Sequence, residues 1–167
     1  MPEEEDVPLL EDAVLREVGA LTRTIHAIIE IQFKGLNLQK GQSIYLTRIC
    51  ENPGITMKEL SRLLAVDKTT ASKVVKKLAD EKLVRKVRDP ADRRARPLYP
   101  TEKAAAAYRV IIEEENRLTR QCYAGFTPDE QAAVLDMITR MRQNIEADWC
   151  ALKNYIPPDS FRKSSPD

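Results

Sequence analysis

Residues 67–82 read DKTTASKVVKKLADEK, a pattern typical of an amphipathic helix that begins just after Asp67. The Asp67 carboxylate can accept the free N–H groups of the first turn. One face of this helix is apolar, with Ala71, Val74, Val75 and Leu78. The opposite face is polar, with Thr69, Ser72, Lys73, Lys76 and Asp80. Taken alone, the pattern favours a solvated surface helix over one that enters the DNA major groove, so the neighbouring segments decide between them.

A second, shorter helix is predicted immediately upstream, over residues 56–65. Thr56 and Glu59 have the spacing of a capping box, in which each side chain accepts the other residue's backbone N–H. An apolar stripe follows, formed by Leu60, Leu63 and Leu64. Because Asp67 caps the next helix, this one must stop near residues 65–66. Two helices joined by so short a turn indicate a helix-turn-helix.

The sequence downstream of these helices predicts a β-hairpin. Residues 83–88 (LVRKVR) favour a strand, residues 89–94 (DPADRR) favour a turn with a basic tip, and residues 95–100 (ARPLYP) return. Pro97 lacks a backbone donor, which predicts that the returning strand lies at a sheet edge. Residues 54–55 are placed to add a short third strand. The hairpin therefore has the features of a wing beside a recognition helix.

Positive charge is concentrated around this motif. The whole chain carries 27 Lys and Arg against 26 Asp and Glu, whereas residues 62–103 carry 13 against 6. The remainder of the chain is acidic, with 14 against 20. Such a concentration of positive charge in a near-neutral chain indicates a surface that binds phosphates.

Two motifs close this region of the chain. The wing sequence LVRKVRDPADRRA contains Asp92-x-Arg94, and residues 101–103 read Thr-Glu-Lys. Together with the preceding helices, they resemble the winged helix-turn-helix core of the MarR family of bacterial and archaeal transcription regulators. The resemblance implies that Arg94 enters the minor groove and that Asp92 helps to hold the wing. This chain departs from the family pattern at two positions. An aliphatic residue is frequent in the family at the position of Pro100, and a glycine is frequent at the position of Ala104.

Side chains of the helix that follows Asp67 and of the wing are the predicted DNA contacts: Lys68, Thr69, Thr70, Ser72, Lys73, Lys76, Arg93, Arg94 and Arg96. Hydroxyl groups can bond donors or acceptors on base edges, and a Thr methyl group can meet a thymine methyl group. Lys76, Arg93 and Arg96 are expected to contact phosphates. Arg94 suits a narrow, electronegative minor groove because its guanidinium is planar and always charged.

The composition of the 167-residue chain fits one mostly α-helical domain with extensions. Hydrophobic residues make up 43% of the chain, yet no run approaches the roughly 18 consecutive apolar residues of a membrane span. The acidic start, MPEEED, differs from the basic start of a signal peptide, so we expect a cytoplasmic protein that does not associate with membranes. Cys50, Cys122 and Cys150 are expected to be free thiols, buried as small hydrophobic groups rather than exposed as oxidant sensors.

Long amphipathic helices flank the predicted DNA-binding module on both sides. A first helix is expected over residues 9–34, and Thr127 and Glu130 have the spacing of a capping box at the start of the last. The apolar residues of both recur at spacings of three and four, as in a coiled-coil seam. A shorter helix over residues 41–50 is expected to turn three apolar side chains inward: Ile44, Leu46 and Ile49.

The expected fold is mostly α with a small β wing: a winged helix-turn-helix core with N- and C-terminal dimerisation helices. The expected organisation is a disordered lead over residues 1–8, dimerisation helices over 9–36 and 101–156, a winged module over 37–100 and a loose tail over 157–167. Packing against a second copy is the simplest way to bury both seams. The sequence therefore predicts a homodimer on half-sites about 10 bp apart, with a monomeric helical bundle as the alternative.

The MarR resemblance also implies a small effector, frequently an aromatic acid, bound between the dimerisation helices and the winged module. The candidate lining residues are His26, Phe33, Tyr45, Arg48 and Ile49. Such a ligand would favour one separation of the two recognition helices over another. Ordinary core packing is the alternative for this set, and for His26, the only histidine, it is favoured over a role in pH sensing.

The function expected from these features is sequence-specific transcription regulation of the MarR type, with a homodimeric repressor bound to double-stranded DNA. One alternative is a low-specificity architectural DNA-binding protein without a small-molecule effector. Another is a winged module that binds an acidic protein partner. An enzyme is not expected, and no cofactor is predicted, because the sequence has one histidine, no His/Cys metal spacing and no glycine-rich phosphate loop.

Overall fold

The computed structural model describes residues 10–33, 38, 41–87 and 96–152, and within them the chain forms six helices and a two-stranded antiparallel sheet. In chain order the elements are α1 (Val14–Gln32), α2 (Gln42–Glu51), α3 (Met57–Leu63), α4 (Lys68–Asp80), β1 (Val84–Lys86), β2 (Leu98–Pro100), α5 (Glu102–Cys122) and α6 (Pro128–Leu152). This order confirms the prediction of a mostly α fold with a small β wing.

The hydrophobic core lies in the middle of the chain, where α2, α4, β2 and the first half of α5 pack together. Its fully buried large apolar side chains come from these four elements and from α3: Leu46, Ile49, Leu60, Val75, Leu78, Leu98 and Ile111. Burial of this apolar surface provides the main driving force for folding of the winged module.

The two helices of the helix-turn-helix begin where the sequence predicts. Thr56 and Glu59 form the capping box: Thr56 donates its backbone N–H to Glu59 Oε2 (2.8 Å), and Glu59 donates its own to Thr56 Oγ1 (3.3 Å). Asp67 caps α4 by accepting the backbone N–H of Thr70 at 2.8 Å. Between the helices, Ala65 adopts a left-handed conformation (φ 51°), and Val66 donates its N–H back to Ser61. This closed turn holds α3 and α4 at a fixed angle.

The wing pairs β1 with β2 in the register Arg85↔Tyr99. The predicted third strand is present as a single bridge, in which Leu98 donates its N–H to Ile55 (2.9 Å) and accepts that of Gly54 (2.8 Å). The returning strand is therefore paired on both sides at Leu98, and the prediction of an edge strand is wrong there. Gly54 has φ +94°, and a Cβ atom would lie 3.2 Å from the Tyr99 hydroxyl, so both the backbone conformation and the close contact favour glycine here.

The terminal helices α1 and α6 expose much of their apolar surface. Helix α1 begins at Val14, later than expected, where Asp12 Oδ1 accepts the Val14 N–H at 2.6 Å. Thr127 and Glu130 form the predicted capping box of α6. No residue of α1 is buried. The large exposed apolar side chains of the two helices are Val14, Leu15, Val18, Leu21, Ile31, Leu135, Met137, Ile138, Ile145 and Leu152.

None of the helices in the described part of the chain is both long and apolar enough to cross a membrane.

Candidate nucleic-acid interface

Helix α4 has the two faces that the sequence predicts. Ala71, Val75 and Leu78 are fully buried in the core and fix the helix against the rest of the module. The opposite face presents exposed side chains, with Lys68, Thr69, Thr70, Lys73 and Lys76 exposed and Ser72 half-buried. The structure therefore brings together all the candidate DNA contacts of this helix on one accessible surface.

The Thr70 hydroxyl has a structural task within this surface. It donates to Asp67 Oδ2 (2.5 Å), while the Thr70 backbone N–H donates to Oδ1 of the same carboxylate. These two hydrogen bonds, the side-chain bond first, lower the pKa of Asp67 below its usual value. The carboxylate thus remains ionised at the positive end of the helix dipole, and the Thr70 hydroxyl proton is committed to the cap.

A basic cavity of about 330 Å³ lies between α3, α4 and the wing. Its lining residues are Thr56, Met57, Lys58, Lys68, Ser72, Lys86, Arg96 and Leu98. Four of them are cationic, and each comes from a different segment: α3, α4, β1 and the residues just before β2. We refer to this feature as the basic cavity. A cavity lined by four cations is suited to a phosphate of the DNA backbone.

Lys58 and Lys86 belong to the basic cavity but not to the set predicted from the sequence. Lys58 lies in the first turn of α3, which the sequence assigned to structure alone. For Lys86, the local excess of positive charge in the sequence was the feature that could have predicted a role in phosphate binding. On the same strand as Lys86, the Arg85 guanidinium carbon lies 5.0 Å from the centre of the Tyr99 ring of β2, a cation–π contact that stiffens the base of the wing.

The wing tip, with Asp92, Arg93 and Arg94, lies outside the described residues. Arg96 is described and exposed, and it lines the basic cavity.

The candidate effector residues occupy different environments. Phe33 lines a cavity of about 290 Å³ between α1 and α5, together with Gln32, Val110, Glu113, Glu114, Arg117 and Arg120. The other four candidates do not line this cavity. Tyr45 and Ile49 are buried in the core, His26 is exposed, and Arg48 forms an ion pair with Glu51.

The cysteines differ in exposure. Cys50 is partly buried against the core, and this burial, with the nearby Glu51 carboxylate, raises the pKa of its thiol to about 11. The thiol therefore stays protonated near neutral pH, which makes it a poor nucleophile. Cys122 and Cys150 are exposed free thiols, so the prediction that all three cysteines are buried is wrong for these two.

A capped, exposed polar helix beside a basic cavity and a two-stranded wing defines a winged helix-turn-helix DNA-binding protein. The family model of the MarR family matches residues 34–95. The HTH-type transcriptional regulator YybA of Bacillus subtilis strain 168 is 38% identical over 136 residues, which cover 81% of this chain and 91% of YybA. The chain therefore belongs to the MarR family.

Solved structures agree with this assignment. A MarR protein from Peptoclostridium difficile DA00132 is 44% identical, with a TM-score of 0.82 over 87% of this chain and 95% of that one. A MarR family regulator from Listeria monocytogenes, solved in complex with a 26mer DNA, is 37% identical. Its TM-score is 0.85, over 89% of this chain and 99% of that one. The protein is thus a DNA-binding transcriptional regulator. Because the family is non-enzymatic, the expectation that it is not an enzyme is confirmed.

Proposed function

We propose that this protein is a homodimeric repressor that binds a pseudo-palindromic site on duplex DNA through two winged modules. The observation that carries the proposal is the exposed polar face of α4 beside the basic cavity, in a chain whose terminal helices expose apolar seams. A dimer seated on a promoter would exclude polymerase from it, so repression is the simplest outcome. We place this activity in the cytoplasm, where a bacterial or archaeal chromosome is found.

The proposed DNA contacts divide into base readers and phosphate binders. Thr69, Ser72 and Lys73 are proposed to read base edges from the N-terminal half of α4, where short side chains can approach the major groove. Thr70 contributes its methyl group, since its hydroxyl proton is held by Asp67. The proposed phosphate binders are Lys58, Lys68, Lys76, Lys86, Arg93 and Arg96. Arg94 is proposed to enter the minor groove, with Asp92 supporting the wing.

The dimer is proposed to form through α1 and α6. Large apolar residues are exposed along both helices, and clustered exposed apolar surface is typical of interaction sites. Residues 9–36 and 101–156 are accordingly proposed as dimerisation segments around the winged module of residues 37–100. Two modules related by a twofold axis would contact half-sites about 10 bp apart.

A small aromatic or acidic ligand is proposed to release the repressor. The cavity beside Phe33 lies between a proposed dimerisation helix and α5, and Arg120 is the lining residue proposed to bind the ligand. The other lining arginine, Arg117, already donates to both carboxylate oxygens of Glu114, at 2.7 Å and 2.6 Å. Arginine suits a carboxylate ligand because its planar donors match both oxygens. A ligand held there would favour one separation of the winged modules over another.

Selection of bound sequences from random duplex DNA tests the proposed function. The expected result is an inverted repeat, bound at least about 10³-fold more tightly than random duplex of equal length. A preference for bent or AT-rich DNA without a repeat would instead support the low-specificity architectural alternative. Tight binding without any dependence on salt would contradict binding to DNA phosphates altogether.

The basic cavity gives a prediction about salt dependence. Replacing Lys58 or Lys86 with glutamine should reduce the slope of log affinity against log salt concentration by about 1.8, because each phosphate contact contributes about 0.9 and a dimer loses two contacts. Filter binding or fluorescence anisotropy at several salt concentrations measures the slope. Lys77→Gln is the matched control, since Lys77 is an exposed lysine of α4 that does not line the cavity. Equal slopes for all three variants would contradict the assignment.

A further inference from the structure

The end of α4 is joined to the start of α5 by a set of hydrogen bonds between residues 81–83 and residues 101–103, which we call the α4–α5 joint. The chain leaves α4 through Lys82, which adopts a left-handed conformation (φ 60°) that residues other than glycine adopt at a cost. Leu83 then donates its N–H back to the Leu78 carbonyl at 2.9 Å. This tight turn after α4 orients its carbonyl groups toward the first residues of α5.

The Thr101 side chain forms hydrogen bonds with both the end of α4 and the start of α5. Its hydroxyl donates to the Lys82 carbonyl oxygen at 2.8 Å, with the Leu83 carbonyl oxygen 3.2 Å away. The same oxygen accepts the backbone N–H of Ala104 (3.3 Å), which makes Thr101 the N-cap of α5. The Thr101 backbone N–H also donates to Leu83 at 3.1 Å. A single residue therefore begins α5 and holds the exit turn of α4.

Lys103 makes a second connection across the joint. Its Nζ donates to the carbonyl oxygen of Glu81, the C-cap of α4, at 2.9 Å. A cation at this position is favoured by the negative end of the α4 dipole. Thr101 and Lys103 thus tie two successive carbonyl groups at the end of α4 to the first turn of α5.

We propose that Thr101 and Lys103 are positioning residues, which fix the direction of the recognition helix relative to α5 and so set the half-site spacing that the dimer accepts. The proposal rests on the proposed homodimer. Both residues contact the C-terminal end of α4, about 12–18 Å along the helix from the residues proposed to read bases. Their effect on DNA binding is therefore transmitted through the orientation of α4.

Geometry explains why this joint should determine spacing. Adding one base pair between half-sites moves them apart by about 3.4 Å and rotates one relative to the other by about 35°. Helix α5 leads from the winged module toward α6 and the proposed dimer interface. A dimer whose α4–α5 joints are rigid cannot reorient its recognition helices to match such a rotation. If the joints are loosened, each of the two modules can turn by part of the required angle.

The test uses two pairs of variants in the full-length protein. Thr101→Asp keeps a side chain that can cap α5 but has no proton to donate to Lys82, whereas Thr101→Ser keeps both functions. Lys103→Met removes the amine and keeps the apolar stem, whereas Lys103→Arg keeps a cationic donor. Affinity is measured for duplexes that carry the two half-sites at the selected spacing, at one base pair more and at one less, and for a duplex with a single half-site.

The wild-type protein should prefer the selected spacing, and Thr101→Asp and Lys103→Met should each reduce that preference by about three- to tenfold, as expected for loss of one hydrogen bond. Thr101→Ser and Lys103→Arg should retain it. Affinity for the single half-site should be the same for all five proteins, since the base-reading face is unaltered. Because Lys103 is exposed, Lys103→Met keeps the test decisive even if Thr101→Asp folds poorly.

The outcomes separate this inference from the proposed function. A wild-type spacing preference that both Thr101→Asp and Lys103→Met retain would overturn the inference alone. An equal loss of affinity at every spacing and at the single half-site in Lys103→Met, with a smaller salt slope, would make Lys103 a phosphate contact and also overturn it. A wild-type protein with no preference for paired half-sites would overturn the proposed function and this inference together.

Discussion

Replacing Leu78 with alanine is expected to lower the free energy of unfolding by about 3 kcal/mol. The Leu78 side chain is 0% exposed and belongs to the core cluster that holds α4 against the rest of the module. Alanine would remove three carbon atoms and leave a cavity in a region enclosed by several elements, which cannot collapse without moving the helix. The change should be measured by urea denaturation followed by circular dichroism, at a fixed protein concentration because a dimer's stability depends on it.

Leu63→Ala is the matched control for this experiment. Leu63 lies on α3 of the same helix-turn-helix, and its side chain is 53% exposed. The same chemical change there should cost less than about 1 kcal/mol, since little apolar surface returns to water. Equal losses in the two variants would show that Leu78 is not the core anchor of α4, and the assignment of the buried face would fail.

The helix-turn-helix could be predicted from the sequence because its signals are local. Thr56 and Glu59, three residues apart, are sufficient for a capping box, and Asp67 lies directly before the periodic stretch that it caps. The apolar period then determines which face of α4 is buried. No contact distant in sequence is needed for any of these conclusions.

The apolar periodicity predicted the wrong buried face in α2, where contacts with other elements determine which side chains are buried. Ile44 was predicted to face inward but is 41% exposed, while Gln42 and Thr47 on the same short helix are buried. Helix α2 packs against α4, α5 and β2, and their combined position selects a face that a ten-residue pattern does not define. Likewise, pairing on both sides of Leu98 depends on the approach of Ile55, 43 residues earlier in the chain.

The basic cavity shows the same limit at the candidate site. Lys58, Lys68, Lys86 and Arg96 are separated along the chain, and nothing in the local sequence distinguishes Lys58 from a solvated surface lysine. Only the packing of α3, α4 and the wing brings the four cations around one space. Charge counting could predict that a phosphate-binding surface exists in this region, but not which lysines form it.

Replacing Leu135 with glutamate is expected to convert the proposed dimer into a monomer and to reduce affinity for the paired half-sites by at least about 100-fold, through loss of bivalent binding. Leu135 is 64% exposed on α6 in the single chain, so glutamate there should leave the fold of the monomer intact. In a dimer seam, the same carboxylate would be buried without a partner, at a cost of several kcal/mol. Sedimentation equilibrium at micromolar concentration and titration of the selected duplex measure the two effects.

Ile44→Glu is the control, because it introduces the same charge at an exposed apolar residue of α2, outside α1 and α6, and should leave the dimer intact in sedimentation. Affinity for a single half-site is a property of one winged module, so Leu135→Glu should retain it while losing the gain from pairing. A dimer that persists with glutamate at position 135 would locate the interface on another surface. The expected separation of about 10 bp between half-sites would then lose its structural basis, since it depends on how the terminal helices hold the two modules apart.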